Sequence, residues 1–288
     1  MSNDDPTTRP MTRRAEMVTE PSTDPEAMPA QLVLGERYEV LGVLGEGGMG
    51  EVHRVRDHKL NRVMAMKVLK ASRANDSAEV MAFMQESQVT AQLQHPGIVS
   101  VHDMGSLADG RPYYTMTAVH GRTLSAIIRE VHEASGYGPW QTAVSGWTFR
   151  RLVEVFRKTC DAVAYAHSRG VVHRDLKPSN VMVGEFGEVQ VMDWGVAKLL
   201  DTTVGETDPI EDDRAVQPTL PMGETMTGSI LGTLSYMAPE QARGEVDNVG
   251  PASDVYALGS ILFQLMTGRP PFTGNPAEVL ARVQQGQR

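Results

Sequence analysis

The chain has 288 residues, of which 41% are hydrophobic and 22% charged, with a formal net charge of -9. This composition is that of an ordinary folded protein and excludes fibrous and globally disordered classes, while the acidic balance argues against nucleic acid as a partner. The single cysteine, Cys160, excludes an intrachain disulfide, and the longest apolar stretch is far shorter than the ~20 residues that cross a bilayer, so we expect a cytoplasmic protein with no membrane segment in this chain.

Residues 1–36 are the first predicted element. They are rich in Pro, Thr, Asp, Glu and Met and lack apolar periodicity, so they cannot bury enough apolar surface to offset the entropy of ordering. A basic amphipathic targeting helix over residues 9–18 is the alternative, which the interleaved acidic residues disfavour. We therefore predict a disordered N-terminal arm over residues 1–36.

The next part of the chain has the pattern of a small β-rich lobe. Short runs with β-branched residues predict strands at Tyr38–Leu44 and Arg62–Leu69, and a strand pair between Ile98 and Val119. The stretch from Asp76 to Gln94 predicts one helix, entered through polar residues and stopped by a proline. We place this lobe at about residues 37–118.

The chain beyond Leu124 is mostly helical in pattern. Apolar residues recur at helical spacing in two stretches, from Leu152 to Val163 and from Val255 to Met266. The stretch from Ala134 to Trp147, with its glycines and tryptophans, is typical of a loop inserted between two helices. These patterns predict an α+β fold of two lobes around a cleft, in which a larger, mostly α-helical lobe at about residues 119–288 follows the β-rich one.

A glycine-rich motif follows the first predicted strand. Residues 45–52 satisfy the pattern G-x-G-x-x-G-x-V, whose glycines let the backbone approach nucleotide phosphates without side-chain obstruction. The alternative, a dinucleotide-binding fold, needs a helix after the glycines and an acidic residue about twenty positions later. Because Val52–Val55 continues as a strand and Lys67 follows, the pattern favours the phosphate-covering loop of a protein kinase.

Lys67 stands inside an apolar predicted strand, between Ala65 and Val68. A lysine in such a place is expected to be buried and to need a charged partner. Glu86, on the next predicted helix, is the candidate partner. A solvated surface pair is the alternative, which the apolar neighbours disfavour.

Two further segments carry the strongest signal. Residues 172–180 are Val-His-Arg-Asp-Leu-Lys-Pro-Ser-Asn, and residues 191–195 are Val-Met-Asp-Trp-Gly. A polar turn between two strands would account for one Asp and one Asn, but not for Lys177 at its spacing. Together with the glycine-rich motif and Lys67, these segments make the chain similar to a bacterial-type (eukaryotic-like) Ser/Thr protein kinase, over about residues 38–286.

The resemblance implies a protein-kinase-like fold and transfer of the ATP γ-phosphoryl group to a protein Ser or Thr hydroxyl. Asp175 would accept or orient the hydroxyl proton, and Lys177 would neutralise charge on the transferring group. Asn180 and Asp193 would hold Mg²⁺, with Mn²⁺ as an alternative.

The resemblance also implies the nucleotide-binding residues. Lys67 would pair with the α- and β-phosphates and Glu86 would hold it in place. Met116 would line the back of the adenine pocket, for which a simple core methionine is the alternative, and Val119 would offer backbone groups to the adenine. The full set is Leu44, Gly45, Gly47, Gly48, Gly50, Val52, Ala65, Lys67, Met116 and Val119.

Two positions refine the resemblance. Lys177 followed by Pro178 is the form found in Ser/Thr kinases. Trp194 stands where Phe is usual, and its larger indole changes the packing behind Asp193 without removing the carboxylate. We therefore expect Ser/Thr specificity and a retained metal site.

Residues 232–240 resemble the end of a kinase activation segment, with Thr233 near the substrate hydroxyl. In the acidic, Thr-rich stretch before them, Thr225 and Thr227 stand where similar bacterial kinases autophosphorylate, and Arg174 would grip a phosphate placed there. The alternative is that these threonines are plain solvated loop residues.

Glu240 and Asp254 would have structural roles. Asp254 would brace the catalytic loop from beneath, and Glu240 would pair with an arginine from C-terminal helices that such kinases normally carry. The chain stops at Arg288, before those helices, so we expect a C-terminally truncated kinase domain over residues 37–288. Its partners would be ATP, protein substrates and a transient homodimer for trans-autophosphorylation; the alternative function is a catalytically silent nucleotide-binding or scaffolding module.

Overall fold

The structure is a computed structural model that describes residues 36–136, 138–194, 198–199 and 234–286. Its strands are β1 (Tyr38–Glu46), β2 (Gly50–Asp57), β3 (Arg62–Leu69), β4 (Val101–Ser106), β5 (Pro112–Met116), β6 (Gly121–Thr123), β7 (Val171–Val172), β8 (Val181–Gly184), β9 (Val189–Val191) and β10 (Lys198–Leu199). Its α-helices are α1 (Ser77–Gln92), α2 (Leu124–Ser135), α3 (Phe149–Ser168), α4 (Pro239–Ala242), α5 (Pro251–Thr267) and α6 (Pro276–Gln284). Residues 1–35 of the predicted arm, and Thr225, Thr227 and Thr233, lie outside the described residues.

The first lobe is an antiparallel sheet with the strand order β1-β2-β3-β5-β4. β3 lies in the middle, and its residues from Met64 to Leu69 are all buried. A strand buried on both faces carries a continuous apolar run rather than an alternation. The strand predicted at Arg62–Leu69 is confirmed with the same bounds.

Helix α1 packs against β4 and β5. The side chain of Asp76 accepts a hydrogen bond from the backbone N–H of Ala78 and so caps the first turn. The helix ends just before His95-Pro96, because the residue before a proline is disfavoured in the helical conformation. Glu86 lies on the buried face of α1 together with Phe83 and Val89, so the helix directs a carboxylate toward the sheet.

The second lobe is built on the long helices α2, α3 and α5, whose apolar faces meet in one core. Short strands complete it: β6, β8 and β9 form one sheet, and β7 pairs with β10. Trp194 is among the largest fully buried side chains of this core. The α+β fold, with a β-sheet lobe followed by a helical lobe, is thus confirmed.

The stretch predicted as an inserted loop, Ala134–Trp147, differs at its start, because its first two residues end α2, and the rest lies between α2 and α3. Trp140 in this loop stacks on Phe149 of α3, with ring centroids 4.3 Å apart, and this contact fixes the loop to the helix. Within the described parts of the chain, every helix is too short or too polar to span a bilayer.

Candidate active site

A buried ion pair joins the sheet of the first lobe to α1. Lys67 Nζ lies 2.6 Å from Glu86 Oε1, and the two residues are 9% and 3% exposed. Burial would lower the pKa of the Lys67 ammonium, but the negative charges of Glu86 and Asp193 raise it well above its usual value. Lys67 is therefore a fixed cation, as contact with nucleotide phosphates requires.

The glycine-rich motif forms the turn between β1 and β2. Gly47 N–H donates to the carbonyl of Gly50 and closes the turn. A Cβ at Gly50 would lie 2.6 Å from the carbonyl oxygen of Val68, so the close approach of β2 to β3 requires glycine there. A Cβ at Gly45 or Gly48 would meet nothing, which leaves these two backbone positions open to a ligand.

The catalytic-loop candidates lie between β7 and β8. Lys177 Nζ lies 2.7 Å from Asp175 Oδ2, and Asn180 Nδ2 donates to the backbone carbonyl of Asp175 at 2.9 Å. Asp175 Oδ1 is buried and has no hydrogen-bond partner among the described residues. The loop therefore holds one carboxylate oxygen that accepts no hydrogen bond from the described residues.

Helix α5 holds this loop from beneath through Asp254, which is 1% exposed. Its Oδ2 accepts the backbone N–H of His173 at 2.8 Å, and its Oδ1 accepts that of Arg174 at 2.9 Å. Arg174 has φ +70°, a left-handed conformation that costs a non-glycine residue about 1–3 kcal/mol. The two hydrogen bonds to Asp254 offset that strain.

His173 connects the catalytic loop to the segment after β9. Its Nδ1 accepts the backbone N–H of Asp175 at 3.2 Å, so its Nε2 carries the proton and donates to the carbonyl of Met192 at 3.0 Å. The imidazole is fully buried. One side chain thus links the backbone of Asp175 to the backbone just before Asp193.

Asp193 follows β9 and has φ +65°. Its Oδ1 lies 3.4 Å from Lys67 Nζ, and the Lys67 ammonium lowers the pKa of the carboxyl against the opposing effect of burial. Behind it, the indole of Trp194 donates to the carbonyl of Val191 and lies 4.5 Å from the ring of His173, centroid to centroid. The indole is thus accommodated in the core of the second lobe, as a buried tryptophan with a hydrogen-bonded N–H should be.

The donors at this site fit a magnesium ion. Asn180 Nδ2 points to Asp175, which leaves the amide oxygen available, and Asp193 offers an ionised carboxylate that is half exposed. Carboxylate and amide oxygens are the protein ligands that Mg²⁺ prefers, with phosphate and water completing the shell. Among the described residues no three His, Cys, Asp or Glu side chains cluster as a protein-only metal site.

The residues predicted to line the adenine pocket share one apolar cluster. Ala65 and Met116 are buried in it, and Val52 and Val119 pack against it partly exposed. Met192, next to Asp193, belongs to the same cluster but was not predicted to line the pocket. Leu44 is 52% exposed, at the open end of β1.

Arg174, which was predicted to grip a phosphate, is linked to α4, the helix that carries Glu240. Arg174 Nε is buried without a hydrogen-bond partner among the described residues, and burial lowers the pKa of its guanidinium, partly opposed by Asp254. Glu240 Oε1 accepts a hydrogen bond from the hydroxyl of Ser253 at 2.6 Å. Gln241 Nε2 donates to the carbonyl of Arg174 at 2.8 Å and so ties α4 to the catalytic loop.

Comparison with known proteins identifies the family. A model of the protein kinase domain matches residues 38–287. The chain belongs to the protein kinase family. The predicted kinase resemblance is therefore confirmed for most of the chain.

The chain is similar to curated bacterial proteins. It is 38% identical over 245 residues to serine/threonine-protein kinase PknB of Mycobacterium tuberculosis, a match that covers 84% of this chain and 34% of that protein. It is 39% identical over 238 residues to serine/threonine-protein kinase PknD of Protochlamydia amoebophila, covering 82% of this chain and 23% of that protein. The chain thus spans about a third or less of the length of these relatives.

Three polar side chains at this candidate site were not predicted from the sequence. Tyr114 donates to Glu86 at 2.8 Å, His167 Nε2 lies 2.7 Å from Asp254 Oδ2, and Gln241 reaches Arg174. Each contact joins residues at least 28 positions apart, so no local pattern marks them. For Tyr114 alone a signal existed, because pairing of β5 with β3 would have placed it beside Lys67.

Proposed function

We propose that this chain is an ATP-dependent protein Ser/Thr kinase that transfers the γ-phosphoryl group to Ser or Thr hydroxyls. The observation that carries the proposal is the hydrogen bonding of the two carboxylate oxygens of Asp175. Its Oδ2 is held by Lys177, while its Oδ1 is buried without a described partner. Such an oxygen can accept a hydrogen bond from a substrate hydroxyl. The similarity to Ser/Thr-protein kinases supports the same chemistry.

The proposed reaction is a displacement at phosphorus. The substrate oxygen bonds to the γ-phosphorus as the bond from that phosphorus to the bridging oxygen of ADP breaks, and the hydroxyl proton passes to Asp175. Lys67 orients the α- and β-phosphates, and Lys177 neutralises charge on the transferring group. Mg²⁺, held by Asn180 and Asp193, would supply charge neutralisation at the phosphates.

Regulation and cellular context follow as parts of the same proposal. Thr225 and Thr227 would be phosphorylated in trans by a second copy in a transient homodimer, and Arg174 would bind the resulting phosphate. The unpartnered Nε of Arg174 among the described residues supports this role. The lone cysteine, Cys160, fits a reducing cytoplasm.

The test is transfer of labelled phosphate from ATP with Mg²⁺, with the modified residues mapped by mass spectrometry. We expect Asp175→Asn to lower turnover by about 10²–10⁴-fold, the usual contribution of a general base, with ATP affinity retained. Asp161→Asn, an exposed aspartate on α3, is the matched control and should transfer like the unmutated chain. If every form binds ATP without transfer, the nucleotide-binding or scaffolding alternative is favoured instead.

A further inference from the structure

The buried ion pair of the first lobe has a third member, Tyr114 of β5. Its hydroxyl donates to Glu86 Oε1 at 2.8 Å, and the same oxygen receives Lys67 Nζ at 2.6 Å. In the antiparallel pairing of β3 with β5, Tyr114 lies directly opposite Lys67. The sheet therefore presents two donors side by side to one carboxylate oxygen of α1.

The tyrosine is held rigidly where it makes this contact. It is 3% exposed, and its ring packs against Phe83 of α1 with centroids 5.2 Å apart. Burial first, and then the charge of Glu86, raise the pKa of the hydroxyl well above its usual value. The phenol is therefore a hydrogen-bond donor to Glu86.

The two donors to Glu86 differ in what else they must serve. Lys67 Nζ also lies 3.4 Å from Asp193 Oδ1, and in the proposed reaction it contacts nucleotide phosphates as well. The hydroxyl of Tyr114 has no other hydrogen-bond partner among the described residues. Glu86 Oε2 is buried and likewise has no such partner, so the contacts at Oε1 set the orientation of the carboxylate.

We propose that Tyr114 is a positioning residue that holds Glu86, and through it α1, against the sheet while Lys67 engages the nucleotide. The inference rests on the proposed function, because the position of α1 matters for phosphoryl transfer through Lys67. It assigns the hydroxyl a role separate from the packing of the ring. Tyr114 does not touch the reacting atoms and acts on them only through Glu86 and Lys67.

The first test compares Tyr114→Phe with Tyr113→Phe. The neighbouring Tyr113 keeps an edge-to-face contact with Tyr38, at 6.0 Å between centroids, and donates no hydrogen bond to the ion pair. Loss of a buried hydrogen bond to a charged group should lower kcat/KM for ATP by roughly tenfold or more in Tyr114→Phe. Tyr113→Phe should stay within about twofold of the unmutated chain.

A double-variant cycle asks whether Tyr114 acts through Glu86. In a Glu86→Ala background the acceptor is gone, so adding Tyr114→Phe should change kcat/KM little, although each single variant lowers it. Independent, multiplicative losses in the double variant would overturn the inference. A merely structural effect of the tyrosine would give that result.

Hydrogen exchange gives a readout that needs no turnover. We expect the backbone amides of α1 around Glu86 to exchange faster in Tyr114→Phe than in the unmutated chain, and to be unchanged in Tyr113→Phe. Equal exchange of α1 in Tyr114→Phe and the unmutated chain would overturn the role of Tyr114. Absence of phosphoryl transfer in every form would refute the proposed function, while the exchange of α1 would still decide this inference.

Discussion

At the scale of single residues, the site depends on charges that are kept away from water. Lys67 and Glu86 are almost completely buried and bind each other at 2.6 Å. Taking two charges out of water is costly, so such a pair adds little net stability compared with apolar residues. Removing one partner has a different effect, because it leaves the other charge buried and uncompensated.

Lys67→Met should therefore destabilise the protein as well as remove the proposed phosphate contact. We expect a loss of about 3 kcal/mol in the free energy of unfolding, measured by urea denaturation. Adding Glu86→Gln removes the stranded charge but keeps an oxygen for Tyr114, so the double variant should recover more than half of that loss. A double variant less stable than Lys67→Met alone would contradict this explanation. Lys70→Met, which removes a more exposed ion pair with Glu46, should cost less than about 1 kcal/mol.

At the scale of elements, α5 sets the shape of the catalytic loop through its first turn. Asp254 accepts two adjacent backbone N–H groups of that loop, and His167 of α3 lies against the same carboxylate. One side chain thus joins two helices and the loop. The left-handed conformation of Arg174 depends on this arrangement.

Asp254→Asn should loosen the loop although it preserves the shape of the side chain. The asparagine amide has one oxygen, whereas two backbone N–H groups need acceptors. Its NH₂ group would face one of these N–H donors, and leaving that donor without an acceptor costs about 1–3 kcal/mol. We expect a melting temperature lower by roughly 5 °C and slower phosphoryl transfer with ATP affinity nearly unchanged. Asp247→Asn, at an exposed position, is the control. Unchanged transfer in Asp254→Asn would show that the loop keeps its shape without this brace.

At the scale of the whole molecule, the proposed nucleotide site draws its parts from both lobes. Lys67 comes from the sheet of the first lobe, whereas Asp193 follows β9 of the second, and their side chains meet at 3.4 Å. A ligand that binds both lobes stabilises the folded state in proportion to its affinity. The site should therefore be detectable in the stability of the entire kinase domain.

Saturating ATP with Mg²⁺ should raise the melting temperature by several degrees. At one hundred times the dissociation constant the gain is about 2.7 kcal/mol, or roughly 5–10 °C for a domain of this size. Removing the metal with EDTA, or replacing Asp193 by Asn, should abolish most of the shift, because the carboxylate is the proposed charged metal ligand. An equal shift in Asp193→Asn and the unmutated chain would exclude Asp193 from metal binding.

Some parts of the fold and of the candidate site could be predicted from the sequence, and others could not. β3 was predictable because a strand buried on both faces has a continuous apolar run, and α1 because a cap and a proline mark its ends. The family was recognisable from the short motifs with fixed spacing that contain Asp175, Asn180 and Asp193. Strand pairing could have placed Tyr114 beside Lys67, but its contact with Glu86 was not predictable, because it spans 28 positions and arises only once α1 packs on the sheet.

Trp194 gives the protein an intrinsic optical probe. Its indole is 1% exposed, directly follows Asp193 and lies against His173, whereas Trp140 is 42% exposed on the loop between α2 and α3. Only one further tryptophan, Trp147, is present in the sequence. With Trp140 and Trp147 replaced by phenylalanine, the emission of the remaining indole would report nucleotide and metal arrival in stopped-flow experiments, without an attached dye.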